Sequence, residues 1–272
     1  MILKQIQRVL SGLLLRQINK CLLILISSSY CRSMDSITRV LKFAQSNGHV
    51  QESLEVIEKA FARYGIDRTC LSFNGGKDCT AVVHLVHSVA QKLCQNNYDF
   101  KLVAFYAQLP NHFKEEADFV EKTAERYNLT LRKYSSTSLK DSLYQLKIDE
   151  PQLEAIFIGT RRDDFRPGTK MDPLQPTDQD WPRFMRINPI LDWSYDQVWS
   201  FLRETEVPYC DLYNQGYSSL GTRDNTKKNS SLMRYDTKGQ PYYLPAWNLT
   251  SSKEERLSRS SSEDTTNKSI PK

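Results

Sequence analysis

Between residues 66 and 93 the hydrophobic period changes once, from strand to helix, and this change constrains the fold more than any other feature of the chain. Residues 66–73 read as a short strand, and Gly75-Gly76 marks a turn. From about residue 78 to 93, Val82, Val83, Val86, Val89, Ala90 and Leu93 recur on one helical face. The alternation then repeats. Residues 100–106 read as a strand, 113–127 as a helix, 129–134 as a strand, 138–148 as a helix and 154–159 as a short buried strand. Another strand is expected at 187–191. Ser194 with Gln197 forms a capping box that opens a helix through Arg203. Amphipathic helices are expected upstream at 36–48 and 51–64. The rhythm predicts an α/β fold, a doubly wound, mostly parallel sheet with helices on both faces. Ligands in such sheets bind beyond the carboxyl ends of the strands. Here those ends feed the loops beginning at Ser72, Ala107 and Thr160. Residues 160–185 show no period and read as a long loop, functional or unstructured.

The formal net charge of +5 is misleading as a sign of nucleic-acid binding. Residues 1–33 carry Lys4, Arg8, Arg16, Lys20 and Arg32 and no acid, which accounts for the whole excess. The remainder is balanced, so no general polyanion surface is expected. Basic, leucine-rich and free of acids, residues 1–33 read as a mitochondrial presequence, with a secretory signal as the competing reading. Initiation at Met34 would give a cytosolic form, so mitochondrial and cytoplasmic locations are both expected. The apolar run 21–26 is too short to span a bilayer, and no membrane association is expected. The six cysteines form no CxxC pair and no zinc spacing, as in a reduced intracellular protein. The boundaries expected are therefore an extension at 1–33, one domain at 34–249 and a serine-rich polar tail at 250–272. Composition alone reads that tail as disordered.

The turn itself carries chemistry. In Leu71-Ser72-Phe73-Asn74-Gly75-Gly76-Lys77-Asp78, two glycines let the backbone approach a ligand, and the following helix N-terminus favours an anion. Ser72 adds a hydroxyl, Lys77 a cation, and Asn74 and Asp78 oxygens suited to Mg²⁺. A Walker A loop is excluded, because Asp78 stands where that motif needs Ser or Thr. Among the alternatives to chemistry, His84 and His87 lie one helical turn apart and read as packed. Cys79, at a helix start, has no second cysteine placed to resolve it.

The Ser72–Asp78 string resembles the PP-loop of N-type ATP pyrophosphatases, which cleave between the α- and β-phosphates. Three further strings sharpen the resemblance: Gly159-Thr160-Arg161-Arg162-Asp163-Asp164, the stretch from Thr177 to Arg186, and Tyr217-Ser218-Ser219-Leu220-Gly221-Thr222-Arg223. Together, over residues 54–259, they resemble eukaryotic FAD synthase (FMN adenylyltransferase), of the phosphoadenosine-phosphosulfate-reductase-like superfamily. The resemblance implies transfer of AMP from ATP to FMN, with Mg²⁺. It makes Asn74, Asp78 and Asp164 candidates for the metal, and Lys77, Arg161 and Arg162 candidates for charge neutralisation. Ser72, Asn74, Gly75, Gly76 and Lys77 would cradle phosphates, joined by Arg256 and Arg259 from an Arg-x-x-Arg element in the tail. Asp178, Trp181 and Arg186 would surround FMN, although Trp181 alone reads as a core aromatic beside Pro182. Asp163 and Phe165 depart from the Thr and Pro usual in the family. Apo-flavoproteins are implied as acceptors of the FAD. Rival readings are a phosphoadenosine-phosphosulfate reductase, a tRNA-modifying ATP pyrophosphatase and a non-catalytic nucleotide or flavin sensor. The reductase would need a nucleophilic cysteine in the C-terminal segment, and none follows Cys210.

Overall fold

The computed structural model describes residues 35–94, 100–136, 138–166 and 168–259. The expected targeting extension and the last thirteen residues lie outside this set. After a helix at 35–44 (α1) and α2 (Gly48–Tyr64), the chain alternates as expected. The order is β1 (Thr69–Ser72), α3 (Lys77–Leu93), β2 (Val103–Gln108), α4 (Lys114–Arg126), β3 (Thr130–Ser135), α5 (Leu139–Asp149) and β4 (Ala155–Phe157). Then come β5 (Leu174–Pro176), β6 (Met185–Ile187), α6 (Tyr195–Glu204) and a hairpin of β7 (Met233–Tyr235) with β8 (Pro241–Tyr243). The main sheet has the order β3-β2-β1-β4-β6-β5, parallel except for the antiparallel edge strand β5. The chain reverses its direction of travel across the sheet between β1 and β4, where such sheets bind ligands.

Strand alternation divides the core unequally. On one face Leu71, Ala104 and Phe157 pack with α2, α3 and α6 in a large cluster that includes Ile57, Phe61, Val82, Val86, Trp199 and Phe201. Each such side chain, fully buried, contributes about 1.5–3 kcal/mol. On the other face Cys70, Phe105 and Ile156 meet only Leu143 and Leu146 of α5, together with Leu153 and Phe184. Helices do cover both faces, but the second is thinly covered and leaves room for a cleft.

Three expectations need correction. Residues 160–185 are not one loop: they contain a 3₁₀ turn at Arg162–Asp164 and the strand β5. Flanked by Pro173 and ending in Pro176, β5 is an edge strand with only partly buried residues, so it shows no hydrophobic alternation. The strand expected at 187–191 is Met185–Ile187, stopped before Pro189. Within the described residues, the tail from 250 to 259 is ordered. Residues Ser252–Ser258 form a 3₁₀ turn in which Glu255 and Ser258 are buried, because polar partners rather than apolar ones hold it. Ser218 Oγ donates to Glu255 O at 2.7 Å, Asn229 Nδ2 to Glu254 O at 2.8 Å, and Lys227 N to Ser258 O at 2.9 Å. Among the described residues no helix is long and apolar enough to cross a membrane.

Candidate functional site

The loop after β1 is set by its own side chains. Gly75 has φ +82°, which a side chain rarely adopts, and a Cβ there would lie 3.0 Å from Glu116 Cγ of α4. Asn74 Oδ1 accepts from Gly76 N at 3.1 Å and from Cys79 Sγ at 2.7 Å. Tyr213 Oη accepts from Lys77 N at 2.9 Å and so closes the helix start. Gly159, just beyond β4, presses against the same point: a Cβ would sit 2.5 Å from Cys79 N. Burial pushes the Cys79 thiol up to about 12, so no thiolate forms there.

Beneath the loop lies a buried quartet of charges. Lys77 Nζ lies 2.9 Å from Asp78 Oδ2 and 2.5 Å from Glu255 Oε1. Arg161 Nε lies 2.8 Å from Asp78 Oδ1, and its Nη2 2.6 Å from Glu255 Oε2. Lys77 and Arg161 are 2% and 1% exposed, and with Glu255 and the partly exposed Asp78 they form a neutral block of two cations and two anions at the floor of the site. Burial by itself would raise the Asp78 carboxyl, but Lys77 and Arg161 outweigh it and hold the group below the usual carboxylate range. Burial likewise works against the Lys77 ammonium, and Asp78 and Glu255 overcome it, leaving Lys77 above its ordinary value.

Two clefts open at this edge and share Ser72, Ile158 and Thr160. The first, about 210 Å³, is lined by Ser72, Asn74, Gly76, Lys77, Asp78 and Asp164, with Arg256 and Arg259 arriving from the tail. The second, about 220 Å³, occupies the thinly covered face. Phe105, Leu143, Ile156 and Phe184 form its walls, with Trp181, Asp178 and Arg186 at one side. Arg186 Nε is buried without a partner, although Nη2 donates to Pro176 O at 3.2 Å and stands 3.5 Å from Asp178 Oδ1. A wider cleft of about 930 Å³ touches both, through Asp164 and Arg256 on one side and Phe165 and Met171 on the other.

The sequence-derived candidates thus gather, with exceptions. Arg162 does not face the first cleft; its Nε donates to Asp192 Oδ1 at 2.7 Å. Arg161 lies behind the cleft rather than in it. Arg256 Nη2 reaches Asp164 Oδ1 at 2.6 Å, and Arg259 Nη1 donates to Leu220 O at 2.5 Å. The three residues expected to hold Mg²⁺ line the first cleft together, but in this structure their oxygens are engaged by protein donors. Asn74 Oδ1 is engaged inside the loop, and both Asp78 oxygens face cations. Asp164 Oδ2 accepts from Arg161 N while its other oxygen meets Arg256. Among the described residues no group of three His, Cys, Asp or Glu is placed to hold a metal. Glu255, Tyr213 and Glu116 were missed by sequence reasoning.

Residues 68–146 and 137–228 match the family model of the phosphoadenosine phosphosulfate reductase domain. A probable FAD synthase of Schizosaccharomyces pombe is 38% identical over 195 residues, 71% of this chain and 73% of its own length. The chain belongs to the FAD synthase family. Within that family, a probable FAD synthase of Caenorhabditis briggsae is 38% identical over 212 residues, covering 78% of this chain. The chain spans only 40% of the length of that nematode relative. In fold it is similar to yeast FAD synthetase in complex with FAD, with a TM-score of 0.75 at 24% identity over 84% of this chain and 98% of the other. The Candida glabrata FMN adenylyltransferase in complex with FAD and inorganic pyrophosphate gives a TM-score of 0.75 at 23% identity, over 84% of this chain and 96% of the other.

Proposed function

We propose that the chain transfers the AMP part of ATP to the phosphate of FMN, giving FAD and pyrophosphate. The observation that carries this reading is the pair of clefts with one common wall at Ser72, Ile158 and Thr160, one rimmed by cations and the other apolar. Arg256 and Arg259 suit the phosphates of a nucleotide, and the loop from Ser72 to Lys77 supplies their seat. The Trp181 face and the Phe105–Ile156 wall suit the flat isoalloxazine, with Asp178 and Arg186 for its polar edge.

An oxygen of the FMN phosphate attacks the α-phosphorus of ATP. The bond from that phosphorus to the bridging oxygen of the β-phosphate breaks, and pyrophosphate leaves with the electron pair. The attacking oxygen is already ionised, so no general base is required. The protein's part is alignment and neutralisation of charge. Arg256 and Arg259 provide the cations, while Lys77 and Arg161 are matched within the neutral block. Magnesium belongs to this reading as the nucleotide's own counter-ion, carried in on the phosphates, and the protein's steps do not run through it. Apo-flavoproteins would take up the FAD. The reductase reading is disfavoured, since Cys210 is buried and burial pushes its thiol up to about 12.

The test is direct. Incubation with MgATP and FMN should yield FAD and pyrophosphate in equal amounts, separated by chromatography. Pyrophosphate release that does not depend on FMN would replace this reading with another ATP pyrophosphatase activity.

A further inference from the structure

Glu255, the member of the quartet that comes from the tail, has no role in the reading above. Glu255 is 6% exposed, and each of its carboxylate oxygens meets a different buried cation, Lys77 of the loop and Arg161 beyond β4. Its backbone is equally fixed. Ser218 Oγ donates to Glu255 O, Asn229 Nδ2 donates to both Ser218 Oγ and Glu254 O, and all four side-chain and main-chain partners are buried or nearly so. Arg256 follows it directly and Arg259 one turn later, so the seat of Glu255 decides where both guanidinium groups stand. From that seat Arg256 meets Asp164, and Arg259 lies against Leu220 and pairs in a bridge with Thr226.

We infer that Glu255 is a positioning residue for the nucleotide: its carboxylate keys the tail into the Lys77–Arg161 pair and thereby presents Arg256 and Arg259 to the phosphates. A second consequence follows from charge. With Glu255 in place the loop cation Lys77 is already matched by two carboxylates, so nucleotide phosphates gain their attraction less from it than from Arg259, and from Arg256 in exchange for its pair with Asp164. The inference rests on the proposed nucleotide site and is independent of flavin being the acceptor.

The test measures binding of α,β-methylene-ATP by calorimetry to the full chain. Glu255→Gln should weaken it about tenfold, the loss of one charge-assisted contact. FMN affinity, read by quenching of flavin fluorescence, should change less than twofold. Arg259→Ala should weaken analogue binding in the unaltered chain but add less than twofold in the Glu255→Gln background, since the arginine is already out of place. Analogue affinity that is unchanged or tighter in Glu255→Gln, or full additivity with Arg259→Ala, overturns the inference. Should Glu255→Gln not fold, Glu255→Asp keeps the charge on a shorter arm. It should show the same pattern at smaller size, and wild-type affinity there overturns the inference. Failure of the analogue to bind the unaltered chain would instead overturn the nucleotide site itself, and this inference with it.

Discussion

At the scale of single residues, the site is held by close fits that leave little freedom. Gly159 is the tightest against backbone: any side chain would press into the start of α3, 2.5 Å from Cys79 N and 2.7 Å from Asp78 C. Gly159→Ala should lower stability by about 1–3 kcal/mol, the usual cost of overpacking, and should displace the phosphate loop. Gly48→Ala, with nothing within 4 Å, serves as the control and should leave turnover unchanged in the same melting and activity measurements. Trp181 tests the other cleft. It lines that cleft's wall and is only partly buried, with Lys140 Nζ over its ring at 6.0 Å. Trp181→Ala should raise the FMN requirement about 5- to 150-fold, the loss of stacking worth about 1–3 kcal/mol, with little effect on ATP. Steady-state kinetics with each substrate varied in turn would decide it. A change confined to ATP would mean the flavin cleft is elsewhere.

At the scale of elements, the tail is where composition and structure part. Removing everything after Leu249 takes away Glu255 and leaves Lys77 and Arg161 with Asp78 alone, one buried cation unmatched. Breaking a buried ion pair on one side costs about 3–5 kcal/mol, so this cut should lower the melting temperature as well as activity. A cut after Ser260 keeps the whole 3₁₀ turn and should preserve both. Equal melting curves for the two truncations would show that the quartet is not needed for stability. The sequence made the α3 stripe, the Ser194–Gln197 capping box and the loop after β1 legible, because each is a local pattern that repeats within one or two turns. The capping box is present as read, with Gln197 N donating to Ser194 Oγ at 3.2 Å. Glu255 was not legible, because its partners lie 178 and 94 residues away and no local period encodes them. The edge strand β5 was hidden by its prolines, and the engagement of Asn74 and Asp78 by the density of donors around the loop. Resemblance located both arginines of the tail; only the fold shows what seats them.

At the scale of the whole molecule, burial of ionisable groups sets the response to pH. Burial brings His84 and His87 down to about 3, and both remain neutral in the core. His84 Nε2 donates to Pro208 O at 3.2 Å, so Nδ1 accepts from Tyr127 Oη at 2.6 Å. The unfolded chain takes protons on both rings near the ordinary histidine value of 6.5, so stability is lost as pH falls from about 6.5 toward 3. The steepest loss is about 1.4 kcal/mol per pH unit per ring. Glu116 acts in the opposite sense. Burial raises it to about 8, so the folded chain holds a proton that the unfolded chain releases above 4.5, and stability falls as pH rises toward 8. Melting temperature should therefore peak near pH 6.5, with the acid limb flattened in His87→Phe and the alkaline limb flattened in Glu116→Gln. A melting temperature that does not vary between pH 5 and 8 would show that these groups are not buried in the neutral form.

The neutral block has one more consequence, for the order of events during synthesis. Lys77 and Arg161 are made long before Glu255, so a growing chain carries both cations while the second carboxylate has not yet been added. Until the tail emerges and turns back, the floor of the nucleotide cleft holds a surplus charge that favours an open, hydrated arrangement over the closed one. On the proposed reading, competence to bind a nucleotide therefore arrives late, completed by the same few residues that bring in Arg256 and Arg259. On the proposed nucleotide reading, a nascent chain stalled before residue 255 would hold ATP more weakly than the finished one.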